Sequence, residues 1–280
     1  MEDESDKLTS ETSQSLSKIT KNILNQNGIK LNKNLGQNYL IDKNKRDQII
    51  NFGNIDKNDV ILEIGTGIGT LTIELAKKAK KVIAIEIDKN MINILKQNLE
   101  QEKLEIINED FLKVDLNNLI QENSQFKEVI IVPNLPYYIT SDILERIISL
   151  RNNKITKVVV MMQKEVGKKL IKKEENIESY LKALIDNYCQ TKVVTYVSKN
   201  DFEPRPNVDS IVLELVLNKD VYNLDEYFFN TLKECLKNRR KSITNTLPFD
   251  KEKIEEVLIQ LNIKSTIRLE ELTINNFKNI

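Results

Sequence analysis

Histidine and tryptophan are both absent from the 280 residues. Without imidazole no Ser-His-Asp or Cys-His nucleophile can be assembled, so any chemistry here runs without the usual base of neutral pH. Two cysteines, Cys189 and Cys235, are too few for a disulfide framework and, lacking histidine partners, cannot complete a Cys/His zinc site. No metal is expected. No apolar run approaches the roughly 18 residues of a membrane span, and residues 1–11, with five acids and one base, lack the basic-then-apolar order of a secretion signal. These absences point to a cytoplasmic chain without membrane contact. Glycine (7) and proline (5) are also scarce. A chain that avoids both marks, wherever it gathers them, a place where the backbone must do something unusual.

Net charge is zero, 42 basic against 42 acidic residues, which by itself argues against an anionic partner. The N-terminus hides a bias: residues 12–280 carry 41 bases against 37 acids. Residues 1–15 read as a disordered acidic tail. Local basic clusters, among them Lys30 and Lys33 early and Arg239, Arg240 and Lys241 late, then matter more than the total.

Three of the seven glycines fall within five residues, Gly65, Gly67 and Gly69, and four of the five prolines in two stretches, Val132–Tyr138 and Phe202–Pro206. Between them short apolar runs (Val60–Ile64, Val82–Ile85, Leu104–Ile107, Glu128–Val132, Val158–Met162) alternate with helical patterns near 69–79, 89–99 and 141–150. Such alternation predicts βαβ units and a doubly wound, mostly parallel α/β sheet. Val193–Val197 and Ser210–Val216, separated by a proline loop, predict an antiparallel edge. After about residue 220 strand signals stop and helices are expected over 225–237, 251–261 and 269–277. The expected organisation is a catalytic domain over 16–220 and a small all-helical domain over 221–280.

Glu63-Ile64-Gly65-Thr66-Gly67-Ile68-Gly69 joins the first strand to the first helix, where a Rossmann-like sheet binds a nucleotide-like ligand. Glu86 ends the second strand 21 residues after Gly65, where a carboxylate can accept from both ribose hydroxyls. The third glycine comes one residue earlier than in the dinucleotide fingerprint, a spacing similar to the S-adenosylmethionine loop of class I methyltransferases. Asp110 follows the third strand, where this fold reads an adenine amino group; a turn cap is the competing role.

Asn134-Leu135-Pro136-Tyr137 follows the fourth strand, beside the glycine loop. An exocyclic adenine amine is a poor nucleophile because its lone pair is delocalised into the ring. An asparagine carbonyl and a backbone carbonyl accepting from that NH2 would stabilise the pyramidal nitrogen during attack on a methyl group. No strong base is needed first, which suits a histidine-free chain. Proline preorganises the acceptors, and Tyr137 offers a face for stacking. These four residues are the expected catalytic set.

From about residue 16 to 280 the chain resembles the small-subunit ribosomal RNA adenine N6,N6-dimethyltransferases, the kasugamycin-sensitivity methylases. The resemblance rests on Asn34–Asp42, Leu62–Gly69, Asn134–Tyr137, Met162–Val166, Phe202–Ser210 and Arg239–Lys241, with Thr66 where the family loop usually has proline. It implies S-adenosylmethionine as donor, covered by Asn38 and Leu40, with its methionine moiety against Gly65, Gly67 also in the donor site, its ribose on Glu86, its adenine at Asp110, and Asn134 touching donor and target. It also implies four methyl transfers onto two adjacent adenines in a hairpin loop near the 3′ end of small-subunit rRNA, the substrate being a pre-ribosomal small subunit. Lys33, Phe202, Arg239, Arg240 and Lys241 are the expected RNA contacts, Phe202 as a second wall of the base pocket or as core, and Arg239–Lys241 at the start of a helical stretch. Nothing in the sequence signals oligomerisation, and a monomer is expected. Two alternatives stand beside this reading: a large-subunit rRNA methyltransferase of the macrolide-resistance type, and a ribosome-assembly factor without catalysis.

Overall fold

The computed structural model describes residues 16–29, 38–98, 103–123, 125, 128–133, 137, 139–150, 154–172, 176–218 and 226–280. The acidic tail, Lys33, Asn134, Leu135 and Pro136 lie outside the described residues. The chain divides into two compact units, Met1–Lys169 with Gln190–Leu217, and Leu170–Cys189 with Asn218–Ile280.

The larger unit opens with helix α1 (residues 16–26), strand β1 (Tyr39–Leu40) and α2 (Lys43–Phe52). Alternation then follows: β2 (Val60–Ile64), α3 (Thr72–Lys78), β3 (Lys81–Ile85), α4 (Lys89–Asn98), β4 (Leu104–Ile107), α5 (Leu116–Glu122), β5 (Val129–Pro133), α6 (Thr140–Ser149) and β6 (Ile155–Gln163). After α7 (Lys164–Ile171) and α8 (Tyr180–Tyr188) come β7 (Cys189–Val197), β8 (Phe202–Glu203) and β9 (Ser210–Leu217). Seven strands form one sheet in the order β4-β3-β2-β5-β6-β9-β7. The pairs from β4 to β6 are parallel, and β9 runs antiparallel to β6. This is a doubly wound, mostly parallel Rossmann-like sheet with an antiparallel edge, as the alternation predicted, with β9 inserted between β6 and β7.

Every residue of β2 is buried, because helices cover both faces of a parallel sheet and leave no wet side on which to place polar residues. One cluster joins Ile61, Val82, Ile130 and Val159 of the sheet to Ile49 and Ile50 of α2 and Leu75 of α3. A second gathers Leu24 of α1, Tyr39 of β1, Ile68 of the glycine loop, and Met91 and Ile94 of α4. Strand order reverses between β2 and β5, and ligands of doubly wound sheets bind at the carboxyl ends of strands where that happens.

The smaller unit holds α8 with α9 (Glu226–Lys237), α10 (Lys251–Gln260) and α11 (Ile274–Asn279). It reaches back to Leu170, upstream of the boundary expected near residue 220, because aromatic packing ties α8 to α9. Phe229 lies 5.3 Å from Tyr188 and 6.2 Å, edge-on, from Tyr180. Arg239, Arg240 and Lys241 do not start a helix: they are exposed in the turn that ends α9, closed by a bond from Lys241 N–H to Asn238 O (2.8 Å). Cations suit that place, next to the free carbonyls and negative dipole of a helix C-terminus. No helix among the described residues is long and apolar enough to cross a membrane.

Candidate functional site

The three loop glycines all have positive φ, +74° at Gly65, +54° at Gly67 and +87° at Gly69, a region that side chains disfavour. A Cβ at Gly67 would lie 2.8 Å from Cε1 of Tyr39, and one at Gly69 would lie 2.5 Å from Cδ1 of Leu95. The loop is therefore pressed between β1 above it and α4 beside it. Tyr39 is fixed in place by its hydroxyl, which donates to the Met91 sulfur at 3.3 Å. The helix expected from Gly69 starts as α-helix only at Thr72, but Ile73 N–H already bonds Gly69 O at 3.1 Å, so the first turn is wound onto the last glycine.

Glu86 follows β3, whose Ile85 pairs with Ile64 of β2. One carboxylate oxygen accepts from Gly67 N–H (3.0 Å) and the other from Asp88 N–H (2.9 Å). Burial pushes this carboxyl up while those two N–H bonds hold it down. Asn108 donates from its amide to the carbonyls of Glu86 and Ile87 (2.9 and 3.2 Å), which fixes the backbone after β3. Ile87 is 58% exposed, an apolar side chain left in the open between Glu86 and Asp88. Asp110 caps the short turn at 111–113, one oxygen accepting from Leu112 N–H at 3.0 Å.

Glu63 is fully buried, and burial pushes its carboxyl up to about 8, with the nearby Thr72 hydroxyl offsetting little of it. Neither Glu63 oxygen has a hydrogen bond among the described residues, nor does the Thr66 hydroxyl, which is 3% exposed. Buried polar groups without partners are rare in folded proteins, and among the described residues Glu63, Thr66 and Thr72, which carry four of the six such atoms, sit in and beside this loop. A ligand with an ammonium, a carboxylate and a ribose diol is what this donor and acceptor set fits, and S-adenosylmethionine carries all three.

β2 and β5 are parallel with Ile64 opposite Pro133, so β5 ends level with the strand end that leads into the glycine loop. Tyr137, at the far end of that motif, is half-buried and shares a 2.6 Å hydrogen bond with Ser210 Oγ. Ser210 is fully buried on β9 and pairs with Gln163 of β6. The second proline-rich motif thus braces the first. Burial raises the Tyr137 phenol, against the Ser210 bond.

β1 and β8 form a two-stranded pair, Tyr39 opposite Glu203 and Leu40 opposite Phe202, extended by Ile41 N–H to Asp201 O at 2.8 Å. Asn38 is half-buried just before it. Leu40 (2% exposed) and Phe202 (3%) both belong to the larger core cluster. Of the two places open to Phe202, the packing puts it in the core, where it backs Leu40.

The structure therefore brings Gly65, Gly67 and Glu86 together at one loop, with Tyr39 of β1, between Asn38 and the core residue Leu40, pressed onto it. Tyr137 lies four residues beyond the end of β5, and Asp110 follows β4, the next strand out. Tyr39, Met91, Ile87 and Ser210 are additions that sequence reasoning missed. Tyr39 and Ser210 stood inside quoted motifs without a role, and Ile87 was visible as an apolar residue between acids. Met91 carried no signal.

A family model described as ribosomal RNA adenine dimethylase matches residues 28–280. The ribosomal RNA small subunit methyltransferase A of Clostridium botulinum (strain Kyoto / Type A2) is 39% identical over 267 residues, 92% of this chain and 95% of that protein. Its counterpart in Clostridioides difficile is 40% identical over 269 residues, 92% of each chain. Among solved structures, a dimethyladenosine transferase from Plasmodium falciparum superposes with a TM-score of 0.68 at 26% identity, covering 85% of this chain and 94% of that one. The 23S rRNA methyltransferase ErmE shares the fold, at a TM-score of 0.61 and 21% identity over 86% of this chain and 97% of that one.

Proposed function

The chain belongs to the ribosomal RNA adenine dimethylase family, and from that premise we propose that it dimethylates N6 of two adjacent adenines in a hairpin loop near the 3′ end of 16S rRNA. It is an S-adenosylmethionine-dependent rRNA adenine N6,N6-dimethyltransferase. The setting we propose is a monomer acting in the cytoplasm on a pre-ribosomal small subunit.

S-adenosylmethionine supplies a methyl group on a sulfonium sulfur, activated for transfer to nitrogen. Glu86 accepts from the ribose hydroxyls, held for this by the loop N–H of Gly67, while Asp110 accepts from the donor's adenine amine. Ile87 gives that ring an apolar wall. Gly65 would lie against the methionine moiety, Gly67 gives its N–H to Glu86, and the segment that carries Asn38 and Leu40 would cover the donor. Tyr137 presents its ring to the target base, and its hydroxyl, anchored on Ser210, keeps the ring from rotating away. The Asn134 side chain and the backbone of Leu135 and Pro136 accept from the target NH2 and stabilise the pyramidal nitrogen. Its proton becomes acidic only as the nitrogen becomes cationic, so no histidine is required. Lys33, Arg239, Arg240 and Lys241 contact phosphate, which positions the RNA without reading its sequence. Phe202 stiffens the strand pair from behind.

The observation that supports this reading is the parallel register of Ile64 with Pro133, the residues at which the strands leading to the donor loop and to the amine-accepting motif end side by side. The test is methyl transfer from labelled donor to small subunits lacking the modification, with large subunits and naked rRNA in parallel, followed by nucleoside analysis. Dimethyladenosine arising only in the small subunit is the expected result. Label in large-subunit RNA would move the chain to the resistance-type branch, and none anywhere would leave an assembly factor.

A further inference from the structure

Among the described aromatic residues of the larger unit, Tyr196 is the one classed as exposed, at 47%; Tyr39, Phe111 and Phe202 are buried, and Phe52 and Tyr137 half-buried. It stands on β7 with the Lys164 ammonium 5.7 Å from its ring centroid. That ammonium also lies 3.7 Å from Asp209, whose other oxygen accepts from Lys199 N–H at 3.1 Å. Lys164 N–H in turn donates to Asp209 O at 3.0 Å. The group is built around one carboxylate: the Lys199 N–H and the two ammoniums hold Asp209 below the usual carboxylate range.

Its place in the chain gives it meaning. Lys164 and Asp209 are the immediate neighbours of Gln163 and Ser210, which pair across β6 and β9, and Ser210 is the anchor of Tyr137. One residue step, about 3.8 Å, therefore separates the brace of the proposed target-base ring from the support of an exposed ring. Solvent is a poor reason for an aromatic face at this point. A π surface with the Lys164 ammonium beside it, and the neighbouring Asp209 carboxylate already engaged by that ammonium and by Lys199 N–H, is the chemistry that binds unpaired nucleotides: base on ring, phosphate on cation. Nearby acids are otherwise occupied, Asp201 capping Ser198 N–H at 2.9 Å and Glu165 3.8 Å from Lys168.

We propose that Tyr196, with Lys164 and Lys199, forms a stacking platform for a nucleotide next to the target adenine, so that a splayed single-stranded segment is held at two points. This inference rests on the rRNA-methylating reading above and adds a substrate-positioning residue to it. An adenine swung out of its loop leaves its neighbour unstacked, and a second aromatic face replaces that lost stacking.

The test compares wild type with Tyr196→Ala and Tyr196→Phe in steady-state methyl transfer to unmodified small subunits, alongside calorimetric donor binding and thermal melting. Tyr196→Ala is expected to raise KM for the small subunit about tenfold, the loss of one stacked base. The effect on kcat should be much smaller, donor affinity and Tm should stay near wild type, and Tyr196→Phe should restore KM. An unchanged KM in the Ala variant, or a Phe variant as poor as Ala, overturns the platform. If wild type itself makes no dimethyladenosine in small subunits, the functional reading falls and the platform with it; if wild type turns over and Ala matches it, only the platform falls.

Discussion

Replacing Gly67 with alanine probes the roof of the donor site, and the structure sets two separate costs. At φ +54° an L-residue costs about 1–2 kcal/mol. The added methyl would also meet Tyr39 at 2.8 Å, and this is a ring that cannot retreat: it is 4% exposed and tied to Met91. Forcing one methyl into a closed site costs typically 1–3 kcal/mol. Together about 2–5 kcal/mol is expected, or a Tm lower by roughly 4–20 °C for a unit of this size. Donor affinity should fall at least tenfold, because the same residue gives its N–H to Glu86. A double-mutant cycle with Tyr39→Ala divides the two costs: shortening Tyr39 relieves the clash but not the φ strain, giving a coupling of about 1 kcal/mol or more. Calorimetric titration of the donor and thermal melting of all four proteins read both. Additive effects, or a Gly67→Ala protein with wild-type Tm and affinity, would refute the account of β1 as a roof pressed onto the loop.

Glu63 has a raised folded-state carboxyl, so its contribution to stability is fully present below the unfolded value near 4.5 and is lost as pH rises through about 8. Glu63→Gln should therefore stabilise the donor-free protein at pH 8 by on the order of 2–4 kcal/mol and flatten Tm between pH 5 and 8; a parallel pH profile in the variant would show that Glu63 is ionised when folded. Tyr137→Phe keeps the ring but leaves the fully buried Ser210 hydroxyl unpaired, so kcat should fall while donor affinity holds, at a stability cost of about 1–3 kcal/mol; unchanged kcat with lowered Tm would confine the bond to folding. Asn134→Ala should abolish turnover with donor still bound, and wild-type turnover would sink the amine-acceptor mechanism. Arg239→Ala with Arg240→Ala should weaken RNA binding and reduce its salt slope by about two, whereas an unchanged slope would make the pair a solvated turn.

How much of this was legible in the sequence depended on whether the signal was local. β2 to β6 and their glycine loop could be read because apolar runs, glycines and terminal acids fall at fixed spacings. Five helices, α1, α2, α5, α7 and α8, were not anticipated, and two of them escaped for opposite reasons. α2 has only Ile49 and Ile50 buried as apolar residues among ten, too short a stripe to register. α8 is buried nearly all round, and even Lys182 of its one i,i+4 polar pair with Asp186 is buried, so burial leaves it little polar face to read. The insertion of β9 between β6 and β7 is long-range pairing that no window can see. The same limit applied at the site. Leu40 and Phe202 could be named as important, but their mutual pairing, and hence their place in the core, depends on residues far apart in sequence. The end of α9 is legible at Lys237, but Arg239–Lys241 stands out by charge alone and reads as the start of a further helix, because the turn bond from Lys241 N–H to Asn238 O leaves no mark in the sequence.

The pairing of β1 with β8 also bears on when the protein becomes competent during its own synthesis. Chains emerge from the N-terminus, and domains fold as their segments become available. The glycine loop, Glu86 and Asp110 are all translated within the first 110 residues. Their roof is not complete until Glu203, more than 160 residues after Tyr39, can pair with it. The anchor of Tyr137 waits for Ser210. A nascent or truncated chain ending before β8 would hold the whole donor-contacting loop and still lack the strand that closes it. Donor affinity in a series of C-terminal truncations should therefore appear abruptly once β8 and β9 are included, which makes ligand binding a reporter of the finished sheet.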